Sequence, residues 1–515
     1  MFLNNLVMRE DIIKCPSYRP KNLPDLLQRH DSKYWTRKGN KEMLRLFHDA
    51  AENVPAYKDF LAKHGVNHKD IKTIKDFKKV PPMDKDNYLR AYPYEALTWN
   101  GNIKRPLTIH ATSGSTGEPT YFERELSSDL RRAFVVDSFF ERNKKTTEGP
   151  TLFIVAFGMG VWSAGMGIYT GAYLAVHTKQ RPVSIITPGV NKTEVLKILR
   201  NIAPRFKQVI IAGYPPFVKD VIDEADTEGI PLKKFSLRFI FTGEAFTEEF
   251  RDYLSNRADV RNVLLDTMNT YGTSELGPMA VETPLSIMVR RLANKKIFKK
   301  LFGDIIKTPT LTQYIPDFIN FECVDDELYF TGDNTIPLIR YKSGDHGGVL
   351  TFKEAEEVLA ENGVDLKKKC KEAGIEEHVS ELPMVYVYER RNLAATLYGV
   401  LIYPEFVKSA VLHPGFYDLL TGKFTIVQKY DKQQDQHLEI NLELRKDINL
   451  TERQKNLIEQ RIVNTLKKRS SEFRELCQNL GERVHPRLIF WPNEHAEFFT
   501  PGSKQQWVKK VKSNK

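Results

Sequence analysis

Residues Thr151 to Val176 run for 26 positions without a charged side chain. A stretch of that length either spans a bilayer or lies in the interior of a folded domain. Five glycines interrupt it: Gly158, Gly160, Gly165, Gly167 and Gly171. Its first part, Leu152 to Phe157 (LFIVAF), reads as a buried strand. The glycine-rich remainder reads as a loop entering a packed helix. From Leu107 to about Ile339 the same grammar continues, with short apolar strands between helical patterns. Val209–Ala212 (VIIA) and Phe239–Phe241 (FIF) are two such strands. They end in the turns Gly213-Tyr214-Pro215-Pro216 and Thr242-Gly243-Glu244. This alternation predicts an α/β fold, in which ligands bind beyond the carboxyl ends of the strands.

The flanks differ from that middle. Residues 1–105 read as a mainly helical lead-in, with apolar positions at helical spacing in Lys41–Glu52 and a break at Pro81-Pro82. After Met384 the chain reads as a compact α+β unit, with a charged helix at Thr451–Lys468 and a lysine-rich tail. The expectation is a large N-terminal domain over 1–388 and a small, mobile C-terminal domain over 389–515. The four cysteines are all more than 40 residues apart, so no local zinc or redox pair exists. Sparse thiols and an N-terminus without a secretory pattern suggest the cytoplasm.

The chain carries 77 Lys+Arg against 66 Asp+Glu, a formal net charge of +11. Nucleic acid, an anionic membrane and a polyanionic small molecule are the partners such an excess suggests. The basic residues are spread among acids and form no zinc-finger or RNP-type pattern, which makes nucleic acid unlikely.

The most informative segment is Thr112-Ser113-Gly114-Ser115-Thr116-Gly117-Glu118-Pro119. Glycines let backbone N–H groups approach an anion, and hydroxyls add uncharged donors. On composition alone, a phosphate loop and an ordinary polar turn both remain open. It is not a P-loop, because the Gly-Lys-Ser/Thr ending is missing.

The loop closely resembles the phosphate-binding motif of the adenylate-forming enzymes, a superfamily of acyl-CoA synthetases, carrier-protein adenylation domains and luciferases. Further motifs follow in the family's order, over roughly residues 40 to 510. Thr242-Gly243-Glu244-Ala245 resembles the segment flanking adenine. Tyr271-Gly272-Thr273-Ser274-Glu275 resembles the Tyr-Gly-x-Thr/Ser-Glu motif, and with Leu276-Gly277-Pro278 it looks most like the phenylacetate-CoA ligase branch. Pro337-Leu338-Ile339-Arg340-Tyr341 leads to Asp345, similar to the branch's ribose-binding aspartate, with Asp333 a nearby decoy. Arg390 lies nine residues before Gly399, as in the hinge motif, although Asn392 stands where the family usually has Asp. Pro501-Gly502-Ser503-Lys504 resembles the loop of the catalytic lysine, with Lys509 and Lys510 as rivals.

The resemblance implies a large α/β adenylate-forming domain of several sheets plus a small C-terminal domain turning on a hinge near 390–392. It implies that Thr112, Ser113, Gly114, Ser115, Thr116 and Gly117 hold the phosphates of ATP. Gly243, Glu244, Ala245, Tyr271, Gly272, Thr273 and Ser274 would surround adenine and the α-phosphate, and Asp345 and Arg390 the ribose. Glu275 would hold Mg2+, and Lys504 would assist attack of a carboxylate on the α-phosphorus. The acyl-adenylate would pass to coenzyme A, or alternatively to a carrier protein or another protein acceptor. Trp162, Tyr214 and Phe217 are candidate walls for an aryl or other apolar acid, with ordinary core aromatics as the alternative. His110 reads as structural.

Two segments are left unexplained by the family. Leu285 to Phe302 (LSIMVRRLANKKIFKKLF) has six basic residues, no acid, and apolar residues near helical spacing. It reads either as a basic amphipathic helix for an anionic membrane or acyl carrier protein, or as a packed surface helix. The charged stretch within 346–385, including Lys367-Lys368-Lys369, has no assigned role.

Overall fold

A computed structural model describes residues 23–104, 108–112, 120–303, 305, 308–390, 394–431, 433–495, 497–499 and 508–510. In chain order the described strands are β1 (Thr108–Thr112), β2 (Thr120–Arg124), β3 (Thr151–Ala156), β4 (Val183–Ile186), β5 (Gln208–Gly213) and β6 (Leu237–Thr242). Next come β7 (Thr267–Thr273), β8 (Gly277–Val281), β9 (Thr310–Gln313), β10 (Ile319–Val324), β11 (Glu327–Gly332), β12 (Leu338–Leu350) and β13 (Met384–Arg390). The remainder are β14 (Ala395–Leu397), β15 (Val400–Ile402), β16 (Leu420–Tyr430), β17 (Gln436–Leu444), β18 (Arg487–Trp491) and β19 (Val508–Lys510).

Eleven of them form one sheet, ordered β10-β11-β12-β13-β9-β8-β7-β6-β5-β3-β4. The strands from β4 to β7 pair in parallel, and those from β7 to β10 antiparallel. The sheet therefore changes character at β7–β8. The strands expected from sequence at 152–157, 209–212 and 239–241 are β3, β5 and β6, all in the parallel half.

Both faces of that half are covered, which is why its strands read as continuous apolar runs. Successive side chains alternate between faces. Leu152, Ile154 and Ala156 join one core with helix Pro215–Thr227, while Phe153 and Val155 join another with helix Leu126–Glu141. The charge-free stretch is thus the buried β3 followed by helix Ser163–Lys179, which packs Ala172, Ala175 and Val176 onto the Phe153 face and leaves Tyr173 exposed. Among the described residues no helix is long and apolar enough to cross a membrane. Helix Ser32–Asn53 covers the antiparallel end, burying Phe47 and Ala50 against Phe321, Phe330 and Tyr341.

Tyr388 lies within β13, and the chain leaves the large sheet only after Arg390. The C-terminal region then builds the hairpin β14–β15 and a separate sheet ordered β18-β17-β16-β19. Helix Glu452–Arg469 matches the charged helix expected there. The core on the Leu152 face runs on into this region through Leu397, Phe406, Ile440 and Phe473.

The basic segment departs from the expected single helix. It forms two, Pro284–Leu292 and Lys295–Phe302, the second capped by the Asn294 side chain. Their apolar residues Leu285, Ile287, Val289, Ile297, Leu301 and Phe302 are already buried, against Phe352, Leu359, Leu366 and Ile375. Arg290 is buried and paired with Glu248 and Glu282, Arg291 with Glu248 and Asp252, and Lys300 with Glu361. A face that is covered and paired in this way leaves no apolar stripe for lipid or a carrier protein. The two unexplained segments explain each other: the helices between β12 and β13 cover the 284–302 pair.

Candidate active site

Of the sequence-predicted residues, Tyr214, Gly243 to Ala245 and Tyr271 to Glu275 lie at or beyond the carboxyl ends of the parallel strands β5, β6 and β7. β1 and β2 pair antiparallel with Thr112 opposite Thr120, so the base of the expected phosphate loop is a hairpin mouth. Ser113, Gly114, Ser115, Thr116 and Gly117 lie outside the described residues, as does the Thr112 side chain. The hairpin is tied in at two points. Ala111 N–H donates to the Val161 carbonyl at 2.7 Å, next to the start of helix Ser163–Lys179. The buried Arg124 guanidinium donates to the Ser274 carbonyl.

Ser274 and Glu275 sit in the turn between β7 and β8. Glu275 is 6% exposed. Its Oε1 lies 3.1 Å from Lys85 Nζ, and Tyr341 Oη donates to the same oxygen at 3.4 Å. Asn334 Nδ2 donates to the Glu275 carbonyl at 3.0 Å. Lys85 has no motif of its own in the sequence. It arrives because Met83 forms a bridge to Tyr341, with Lys342 N–H donating to the Met83 carbonyl. Thr273 Oγ1 is buried without a hydrogen-bond partner among the described residues, while Gly272 is exposed.

On β12, Asp345 is 5% exposed, and its Oδ2 accepts from Tyr271 Oη at 2.7 Å and Ser343 Oγ at 3.0 Å. Two residues expected at adenine and ribose are thus in direct contact. Asp333 points elsewhere, toward Arg131. Asp345 and Arg390 are register partners across β12 and β13; the Arg390 side chain lies outside the described residues.

The Thr242–Ala245 segment follows β6, with Gly243 at φ 89° and Gly243 and Ala245 exposed. Glu244 is held by the C-terminal region: Oε1 accepts from Gly399 N–H at 2.8 Å and Oε2 from Gln436 Nε2 at 2.6 Å. Burial pushes its pKa up to about 7 against the pull of these donors.

The three candidate wall aromatics do not converge on one cavity. Phe217 is fully buried in the core on the Leu152 face. Tyr214 packs edge-on against Phe157, ring centroids 4.9 Å apart, and lies against Gly243 and Gly399. Trp162 Nε1 donates to Glu475 of helix Ser471–Leu480 at 2.7 Å. Lys504 lies outside the described residues. Lys509 and Lys510 are in β19 beside β16, with their side chains outside them.

His110 is 2% exposed, and neither ring nitrogen has a partner among the described residues. Burial, then the nearby Arg132 and Arg124 charges, pushes its pKa down to about 3, so the ring is neutral.

No family model matches the chain. It is 25% identical over 300 residues to a phenylacetate-coenzyme A ligase of Pseudomonas putida, covering 58% of this chain and 62% of the relative. It is also 25% identical over 316 residues to one of Thermus thermophilus, covering 61% and 64%. The matches thus span less than two thirds of those relatives. A solved 2-hydroxyisobutyryl-CoA ligase in complex with 2-HIB-AMP and CoA superposes over 94% of this chain and 91% of its own, with a TM-score of 0.62 at 15% identity. The chain is thus similar in sequence to phenylacetate-coenzyme A ligases and similar in fold to the solved 2-hydroxyisobutyryl-CoA ligase.

Proposed function

We propose that this chain activates a carboxylic acid with ATP as an acyl-adenylate, releasing pyrophosphate, and then forms the thioester with coenzyme A. The observation that carries the reading is the direct contact of Asp345 with Tyr271, on the strand whose following turn holds Glu275 and is tied through Arg124 to the β1–β2 hairpin. Phenylacetate-CoA ligase relatives support the reaction class.

A carboxylate attacking the α-phosphorus of ATP brings two anions together, so donors and positive charge must be in place beforehand. The 112–117 loop supplies uncharged donors to the phosphates. Arg124, at the end of the β1–β2 ladder away from the loop, joins the hairpin to the Ser274 carbonyl in the β7–β8 turn. Asp345, oriented by Tyr271 and Ser343, offers a carboxylate to the ribose hydroxyls. Lys504 supplies a flexible ammonium to the reacting carboxylate.

Mg2+ is commonly held by one or two carboxylates together with nucleotide phosphates, and Glu275 in its turn fits that donor set. Bound there, the ion would neutralise phosphate charge during displacement. Lys85 and Tyr341 fix the Glu275 carboxylate before any nucleotide arrives.

The test is ATP–pyrophosphate exchange over a panel of acids. Lys504→Ala should abolish exchange and Lys509→Ala should spare it; the reverse moves the catalytic lysine. Exchange with no acid overturns the reading. Thioester formation on adding coenzyme A identifies the acceptor, whereas exchange without it points to a protein-borne thiol.

A further inference from the structure

Arg132 is 3% exposed, on helix Leu126–Glu141. Among the described residues its ion-pair partner is Asp129, 3.3 Å from Nη1. Nε and Nη2 have no hydrogen-bond partner among the described residues. Close by are the buried Arg124, whose Nε is likewise unpartnered, and the neutral His110. The two buried guanidiniums act on each other beside Asp129 and Glu275, and Arg124 Nε, Arg132 Nε and Nη2 and the His110 ring have no partner among the described residues. An unsatisfied buried charge is expensive, and such arrangements cluster where a ligand completes them.

The backbone makes room for this arginine. A Cβ on Gly167 would stand 2.9 Å from Arg132 Nη1, and one on Gly277 would stand 2.5 Å from Nη2. Gly167 belongs to the helix opened by the glycine run, and Gly277 follows Glu275 by two residues. The guanidinium is therefore threaded between the two segments that flank the proposed reaction centre. Arg132, whose Nε and Nη2 are themselves closed off from solvent, borders a cavity of about 50 Å³ with Leu276, Pro278, Ala280, Tyr314 and Phe318. None of Trp162, Tyr214 and Phe217 lines that cavity.

We propose, on the basis of the adenylation reading above, that the acid taken by this protein carries a second carboxylate and that Arg132 binds it. One carboxylate is activated by ATP. The other receives the free Nε and Nη2 donors, with the His110 N–H as a further donor. Arg is suited to this because its planar fork matches a carboxylate with two parallel hydrogen bonds. A site built to hydrogen-bond an anion rejects the analogue lacking it, since the arginine would stay buried and unpaired.

The experiment compares α,ω-diacids of increasing length with monoacids of equal length. It measures ATP–pyrophosphate exchange and, separately, acid binding by calorimetry without nucleotide. Wild-type protein should favour the best diacid by about 100-fold or more in kcat/KM. Arg132→Met, which keeps the stem volume, should lose diacid binding and prefer the monoacid. Thermal unfolding checks its folding. If it does not fold, Arg132→Lys should, and its single ammonium should lower the diacid preference at least about tenfold. A merely structural Arg132 would lower both acids alike and leave their ratio unchanged, which overturns the proposal. Exchange with monoacids only overturns it too, while leaving adenylation standing. Arg132-dependent diacid binding without any exchange supports the site and overturns the adenylation reading instead.

Discussion

Replacing Glu282 by Gln tests whether the residues around β7 and β8 are held by charge or only by packing. Glu282 and Arg251 are both fully buried. The Glu282 carboxylate accepts from Arg251 Nη2 at 2.7 and 2.8 Å and from the Asn269 backbone N–H at 2.8 Å. Arg290 Nη2 lies 3.3 Å from its Oε1. Two buried arginines thus face two acids, Glu282 and Glu248. Glutamine removes one charge and turns an acceptor into a donor that faces other donors. At least one charge-assisted hydrogen bond is lost, about 1.5–3 kcal/mol. One guanidinium charge is also left uncompensated, so the whole cost should approach about 3–5 kcal/mol. A chain of this size does not unfold in one step, so segment-resolved hydrogen exchange is the assay. Opening of amides in 267–292 should rise roughly 100- to 4,000-fold, at 1.4 kcal/mol per decade. ATP affinity should fall with it, because β7 leads directly into Tyr271 and Glu275. A change below about fivefold in exchange would mean that packing holds β7 and β8 without the ion pairs.

Other expectations follow from the same geometry. Because the Glu244 pKa of about 7 lies above its ordinary 4.5, its protonation favours the docked arrangement. That contribution is full below about pH 4.5 and lost as pH rises through about 7, so exchange protection of residues 395–444 should decline over that window. Glu244→Gln should flatten the decline; an unchanged profile would remove Glu244 from the account. Gly399→Ala places a side chain at φ 78° against the Tyr214 ring, so it should loosen the C-terminal region by about 1–3 kcal/mol, read by segment-resolved hydrogen exchange. Lys85→Met should leave the fold intact and weaken ATP-dependent exchange at least about tenfold, as the Glu275 carboxylate loses a fixed partner. Equal activity would make that ion pair incidental.

What could be read from sequence was local. The apolar runs at 152–157, 209–212 and 239–241 fixed the parallel strands because burial on both faces leaves an unbroken apolar pattern. Asp345 is separable from Asp333 through its Pro-Leu-Ile-Arg-Tyr lead-in, and in the structure it touches Tyr271 whereas Asp333 faces Arg131. Lys85 carried no signal, since only the bridge from Met83 to Tyr341 brings it to a glutamate 190 positions onward. Arg132 was invisible for a similar reason: its role depends on missing side chains at Gly167 and Gly277, on two other elements. The 284–302 pair looked like a free amphipathic surface because the cover for its apolar face comes from 352–375. A periodicity shows that a face is apolar, not what lies upon it.

The pairing of Asp345 with Arg390 has a mechanical consequence. The aspartate proposed at the ribose and the residue at which the chain leaves the large sheet stand opposite each other on one rung of one ladder. Such a rung is only about 5 Å wide. On the proposed reading, a change in the direction of the departing strand is felt one rung away, at the carboxylate offered to the ribose, so the orientation of the C-terminal region and the hold on the sugar would share a single axle.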